Sequence, residues 1–156
     1  MAISAVADKI YAAPEFPKWD PDSAESENEA PHAQIGPRRV LVVDDQKLIA
    51  DSLAEILRNQ GFGAQAAYDG LDALDAASKF NPDCLLSDVL MPGMNGVELA
   101  IAMRMKNPKL TIFLISGQAG ISDILEEGLR RGYQFELIPK PVHPLELVAR
   151  LRAVNE

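Results

Sequence analysis

A chain of 156 residues, 47% of them hydrophobic, carries enough apolar mass for one ordinary domain with a packed core. Its formal charge of -8 excludes a broad cationic surface of the kind that neutralises nucleic-acid phosphates. A single cysteine, Cys84, excludes an internal disulfide framework, and its place in the run Cys84-Leu85-Leu86 marks it as a small buried side chain.

Residues 1–37 hold Pro14, Pro17, Pro21, Pro31 and Pro37, together with two basic and seven acidic residues. Such a composition buries too little apolar surface to offset chain entropy and predicts a disordered extension ahead of a domain over 38–156. Tyr11, Phe16 and Trp19 read as scattered aromatics there, with docking onto a partner or onto the domain as the alternative. The first residues lack the basic start and unbroken apolar stretch of a secretory signal, and no run has the length of a membrane span. The expected compartment is the cytoplasm.

From Arg38 onward short apolar runs alternate with helical periodicity. Val40-Leu41-Val42-Val43 is short and β-branched, which predicts a buried strand. Ile49, Leu53, Ile56 and Leu57 then recur at helical spacing until Gly61 supplies a stop. A weak strand over 62–67, a helix over 70–79 and a strand over 84–87 follow. Next come a helix over 96–106, a strand over 110–115, a helix over 121–130 and a strand over 134–138. The last helix starts near Pro144, a residue suited to the first helical position, and runs through Leu145, Leu147, Val148 and Leu151. Five strands alternating with five helices imply a parallel sheet covered on both faces and joined by right-handed crossovers.

Ligands of such sheets bind at the carboxyl ends of the strands. The first strand ends in Asp44-Asp45, the third in Ser87-Asp88, the fourth in Ser116-Gly117, and the fifth runs into Lys140-Pro141. Taken singly, each is unremarkable: an acidic pair after a strand is commonly a turn or a helix cap. Brought to one edge, three carboxylates repel one another unless a cation compensates them, and hard oxygen donors suit Mg2+. Asp88 could then attack phosphorus as a carboxylate nucleophile, with Lys140 and Ser116 facing the incoming phosphoryl oxygens.

The segments Val40-Leu41-Val42-Val43-Asp44-Asp45 and Asp88-Val89-Leu90-Met91-Pro92-Gly93-Met94-Asn95-Gly96-Val97-Glu98-Leu99 resemble the receiver domain of bacterial two-component response regulators, and the resemblance spans 38–156. It implies a flavodoxin-like (βα)5 three-layer sandwich with strand order 2-1-3-4-5. It further implies Asp88 as the phosphoacceptor, served by a histidine kinase or phosphotransfer protein. Mg2+ would be held by Asp45, Asp88 and the backbone carbonyl of Leu90, with Asp44 holding a metal-bound water. Ser116 and Lys140 would be the switch hydroxyl and lysine, and the Lys140-Pro141 peptide would be cis. Pro139, which removes a strand amide, suits an edge strand.

The chain departs from the family pattern at Leu137, where many receivers carry an aromatic whose rotamer follows the switch hydroxyl. Tyr133 and Phe135 share its face by the two-residue period but lie farther from the phosphorylation end. Leu90 and Gln118 flank the path of an attacking water, and Leu90 has no group to orient it, so self-dephosphorylation should be slow to moderate. His32 and His143 offer no competing site, and Met91, Met94, Met103 and Met105 read as loop and core packing.

Because the sequence stops at Glu156, just after the last helix, output is expected through contact with an unidentified downstream protein. Direct binding to nucleic acid or a membrane is not expected. The oligomeric expectation is a monomer or a phosphorylation-dependent dimer. Two other readings stay open: a receiver-like binding module that works without phosphate, and an aspartate-nucleophile phosphatase that turns over small phosphate esters.

Overall fold

The computed structural model describes residues 38–117 and 120–154; the expectations for the extension over 1–37 and for Gln118 lie outside them. The elements are β1 (Arg39–Val43), α1 (Lys47–Asn59), β2 (Gly63–Ala67), α2 (Gly70–Phe80) and β3 (Cys84–Asp88). They continue as α3 (Gly96–Lys106), β4 (Thr111–Ser116), α4 (Ser122–Arg130), β5 (Glu136–Pro139) and α5 (Pro144–Ala153). All strand pairs are parallel, and the sheet order is β2-β1-β3-β4-β5. This is the flavodoxin-like order expected from the resemblance.

The two-residue period of the strands divides the core into two slabs. Val40, Val42, Cys84, Leu86, Phe113, Ile115 and Ile138 face Ala50, Leu53 and Leu57 of α1 and Leu147, Val148 and Leu151 of α5. Leu41, Val43, Leu85, Ile112 and Leu114 face the opposite way, onto Ala73 and Ala76 of α2, Val97, Ala100 and Ile101 of α3, and Ile124 and Leu125 of α4. A fully buried Leu or Ile contributes roughly 1.5–3 kcal/mol relative to exposure, so both faces of the sheet are needed for stability. A one-residue slip of any central strand would exchange the two slabs and is strongly disfavoured.

Local signals set the element ends. α1 closes on Gly61 at φ +98°, with Phe62 N–H donating to the Leu57 carbonyl and Gly61 N–H to that of Arg58. α4 closes in the same way on Gly132, through bonds from Tyr133 N–H to Gly128 and from Gly132 N–H to Leu129. That closure corrects the expected start of the last strand. Residues 131–133 complete the helix end, and after Gln134 and Phe135 β5 joins the ladder at Glu136, opposite Phe113, two residues later than expected. Tyr133 and Phe135 precede the strand and stack with ring centroids 6.1 Å apart.

α3 begins with a reciprocal cap, in which Asn95 accepts from the Glu98 amide and Glu98 accepts from the Asn95 amide. Pro139 does lie on an edge strand, as the order requires. One methionine departs from the packing expectation: Met105 is 68% exposed, because its position on α3 turns it away from both slabs. Cys84 is fully buried, and burial pushes its thiol up to about 12, which keeps it protonated and inert.

Candidate functional site

The carboxyl ends of β1, β3, β4 and β5 converge on a cleft of about 200 Å3 lined by Asp45, Asp88, Leu90, Ser116, Gly117 and Lys140, with Gln46, Val89 and Ile121 completing the wall. Asp44, Asp45 and Asp88 each bring one carboxylate oxygen within 4.8 Å of the others. Asp44 is 1% exposed and Asp88 8%, while Asp45 is open to solvent. The Lys140 ammonium lies 3.3 Å from Oδ2 of Asp88. The Lys140-Pro141 peptide is cis.

Backbone bonds hold these side chains in place. Asp44 N–H donates to the Ala67 carbonyl, Val89 N–H to Ile115, and Lys140 N–H to Ser116. Asp44, Asp88 and Lys140 therefore sit at or directly after the end of a strand locked to its neighbour. Two glycines permit the close approaches. A Cβ on Gly96 would collide with the Asp88 carbonyl, and Gly96 N–H closes the β3–α3 loop onto the Val89 carbonyl. A Cβ on Gly117 would stand 2.6 Å from Cβ of Lys140, so only glycine lets the lysine stem cross the end of β4.

Asp44 performs both tasks that its sequence allows. Its Oδ1 accepts from Gln46 N–H at 2.9 Å, the turn-forming bond typical of Asp after a strand. Its Oδ2 is buried with no hydrogen-bond partner among the described residues. Burial pushes the Asp44 carboxyl above its usual range; the Gln46 amide opposes this, Asp88 adds to it, Lys140 opposes it and Asp45 adds to it. A carboxylate that keeps one buried oxygen without a donor among the described residues, and that comes within 4.8 Å of two further carboxylates, fits a small hard cation held by oxygens. Ser87, beside Asp88, is buried and donates to the Asp88 carbonyl at 2.9 Å, which turns its hydroxyl to backbone support.

All the expected strand-end residues thus meet at one edge. Leu137 is 36% exposed and sits with Tyr133, Phe135 and Leu129 along a separate shallow groove between α3, α4 and β5. Sequence reasoning left three participants unnamed: the Gln46 amide, Ile121 on the cleft wall, and Gly96 as the residue that admits the Asp88 carbonyl. Only Gly96 had a local signal, its place directly after a helix-capping Asn.

The parallel sheet thus brings carboxylates from the ends of two inner strands together with a lysine from the edge strand β5. Residues 40–152 match the family described as the response regulator receiver domain. The chain belongs to this family of two-component signalling proteins. Among its relatives, the DNA-binding response regulator MtrA of Mycobacterium tuberculosis is 37% identical over 116 residues, 74% of this chain and 50% of that protein. The response regulator MprA of Mycobacterium avium is 35% identical over the same shares. The chain spans about half the length of these curated relatives. Among solved structures, the chemotaxis protein CheY4 of Vibrio cholerae aligns with a TM-score of 0.67 at 28% identity, over 76% of this chain and 99% of that one. NtrX of Brucella abortus aligns with a TM-score of 0.64 at 29% identity, over 74% of this chain and 26% of that one.

Proposed function

We propose that Asp88 accepts a phosphoryl group from a phosphohistidine of a histidine kinase or phosphotransfer protein, with Mg2+ held by Asp45, Asp88 and the Leu90 carbonyl, and by Asp44 through a water. The observation that carries this reading is the meeting of three carboxylates within 4.8 Å with the Lys140 ammonium 3.3 Å from Asp88. Bound Mg2+ would supply charge neutralisation for the carboxylates and phosphoryl oxygens.

The chain's own residues account for the rest. An Asp88 oxygen forms the new bond to phosphorus while the bond from phosphorus to the donor imidazole nitrogen breaks, its electron pair returning to the ring. Lys140 lies across Gly117 with its ammonium already beside Asp88, so it meets the arriving phosphoryl oxygens without reorganisation. Ser116, on the same cleft wall, supplies the hydroxyl for the third oxygen. Turnover ends at the acyl phosphate unless water attacks it, and Leu90, 41% exposed beside the cleft, offers no group to orient that water. The role is a switch and not that of a multiple-turnover enzyme.

Output is assigned to protein contact, in keeping with the acidic balance of these 156 residues. The domain boundary near residue 38 and a cytoplasmic setting belong to the same reading; among the described residues no helix is long and apolar enough to cross a membrane. The test is incubation with acetyl phosphate and Mg2+ followed by intact mass. One phosphoryl adduct is expected on the unsubstituted protein and none on Asp88→Asn. An unmodified wild-type mass would support the phosphate-independent binding module, and rapid turnover of a phosphomonoester would support the phosphatase.

A further inference from the structure

The segment from Ala67 to Gly70, which joins β2 to α2, is not among the residues lining the cleft, yet it touches α1, which follows the Asp44-Asp45 pair, and the β3–α3 loop, which follows Asp88. On one side it holds the start of α1. The Ala67 carbonyl accepts from Asp44 N–H at 3.2 Å, the Tyr68 hydroxyl donates to Asp51 at 2.6 Å, and the Lys47 ammonium sits 4.8 Å above the Tyr68 ring. Asp51 and Lys47 belong to the first turns of α1, the helix that follows Asp44 and Asp45.

On the other side the turn holds the β3–α3 loop. Gly70 is buried beneath Met94, and a Cβ built on it would stand 2.6 Å from Sδ, 2.7 Å from Cβ and 2.9 Å from Cγ of that residue. The loop is fixed at its base by the bond from Gly96 N–H to Val89 and by burial of Met91, and it turns at Gly93 with φ +76°. The Met94 contact is the anchor at the far side of that turn, across from Leu90. The Asp69 side chain, accepting from Asp72 N–H, and the Asp72 side chain, accepting from Tyr68 N–H, make the turn itself stiff.

We infer that the β2–α2 turn is a positioning brace, in which Tyr68 and the Gly70–Met94 contact set the spacing between the Asp44-Asp45 pair and the Asp88–Leu90 segment. Tyr68, Gly70 and Met94 are positioning residues, since none of them lines the cleft. The inference rests on the reading of the cleft as a Mg2+ and phosphoryl site. Groups that orient metal ligands from behind govern affinity because the ion tolerates little displacement of its oxygens.

The experiment is a Mg2+ titration followed by amide shifts in solution, run on the intact chain, Met94→Ala, Gly70→Ala, the pair together, and Tyr68→Phe. Thermal midpoints without Mg2+ are recorded alongside. Met94→Ala and Gly70→Ala are each expected to weaken Mg2+ binding by about tenfold, the lower end for loss of an orienting group. In the pair, trimming removes the Sδ and Cγ contacts and leaves the new methyl facing only the Cβ of residue 94, so the combined loss should be smaller than the product of the two single losses. Tyr68→Phe keeps the ring under Lys47 and should weaken binding by about threefold, within the cost of one hydrogen bond. If Gly70→Ala fails to fold, Met94→Ala and Tyr68→Phe decide.

Folded variants that bind Mg2+ within about twofold of the intact chain, a difference too small for a lost contact, would overturn the brace. Losses that track the thermal midpoint and multiply in the pair would overturn it too, as the mark of a merely structural role. Failure of the intact chain to bind Mg2+ or to take a phosphoryl group would instead overturn the reading beneath it.

Discussion

At the amino end of the sheet, Arg38 and Arg39 pair with carboxylate, hydroxyl and carbonyl groups of neighbouring elements; at the carboxyl end, three carboxylates converge on one another. Arg39 donates from its amide to Asp83 and from its guanidinium to the Asn81 carbonyl, and the Arg38 guanidinium reaches Thr111 and the Leu151 carbonyl. The groove there, between α2 and α3, is about 340 Å3 and larger than the acidic cleft of about 200 Å3. Leu74, Ala77, Met103 and Leu110 lend it apolar walls, and Arg39, Asp83 and Lys106 are its charged lining residues. The smaller cleft concentrates three carboxylates and a lysine and leaves Asp44 Oδ2 without a donor. Chemistry follows unsatisfied, convergent charge rather than cavity size.

The contrast can be broken by substitution. The largest effect is expected for Lys140→Met, which removes the cation beside Asp88: phosphorylation by acetyl phosphate, timed by intact mass, should slow by about a hundredfold, the usual cost of one charge-stabilising group. Retention of the wild-type rate would remove Lys140 from the chemistry. Leu90→Asn or Leu90→Glu should hasten hydrolysis of the acyl phosphate by about tenfold, by giving an attacking water a hydrogen-bond partner. An unchanged decay of the adduct mass would show that Leu90 does not border the path of that water.

Asp44→Asn tests the unsatisfied charge itself. The amide keeps an acceptor for Gln46 and turns donors toward Asp88, so stability without metal should rise by about 1 kcal/mol at neutral pH in urea unfolding, while Mg2+ binding weakens. The sign with pH follows from the raised carboxyl. The folded chain holds the Asp44 proton more tightly than the unfolded chain, whose value is near 3.8. This contribution to metal-free stability is therefore full below that value and is lost as pH rises through the folded one. Mg2+ affinity should fall as pH is lowered through the same window, because proton and cation compete. A metal-free stability that does not fall through that window in the wild type, or that falls equally in Asp44→Asn, would contradict the assignment.

The smallest effect belongs to the amino end. Asp83→Ala removes the acceptor of Arg39 N–H and should cost about 1 kcal/mol in unfolding while leaving the phosphorylation rate within about twofold. A larger change in rate would mean that the two edges are coupled and the contrast is false.

Much of the cleft was legible because it depends on strand ends. Asp44, Asp88, Ser116 and Lys140 each stand where an apolar run meets a turn, and a parallel sheet delivers such positions to one edge whatever the details of packing. Helix ends were legible where glycine marks them, as at Gly61. The start of β5 was placed two residues early, at 134, because Phe135 has strand-like chemistry, while pairing with β4 begins only at Glu136. The β2–α2 turn was legible as a break between elements, but its contact with Met94 was not, since Gly70 lies 24 positions before Met94 and neither carries a chemical signal.

By itself the sequence determined the alternation of strands and helices, the two-sided burial of the sheet, and the identity of the groups at its carboxyl edge. These follow from periods of two and 3.6 residues and from where each apolar run stops, all of which are local. Only the tertiary structure decided which Asp44 oxygen lacks a donor, that Lys140 crosses the end of β4 over Gly117, and that Met94 rests on Gly70. Those are matters of distance between elements far apart in the chain, and packing rather than propensity sets such distances.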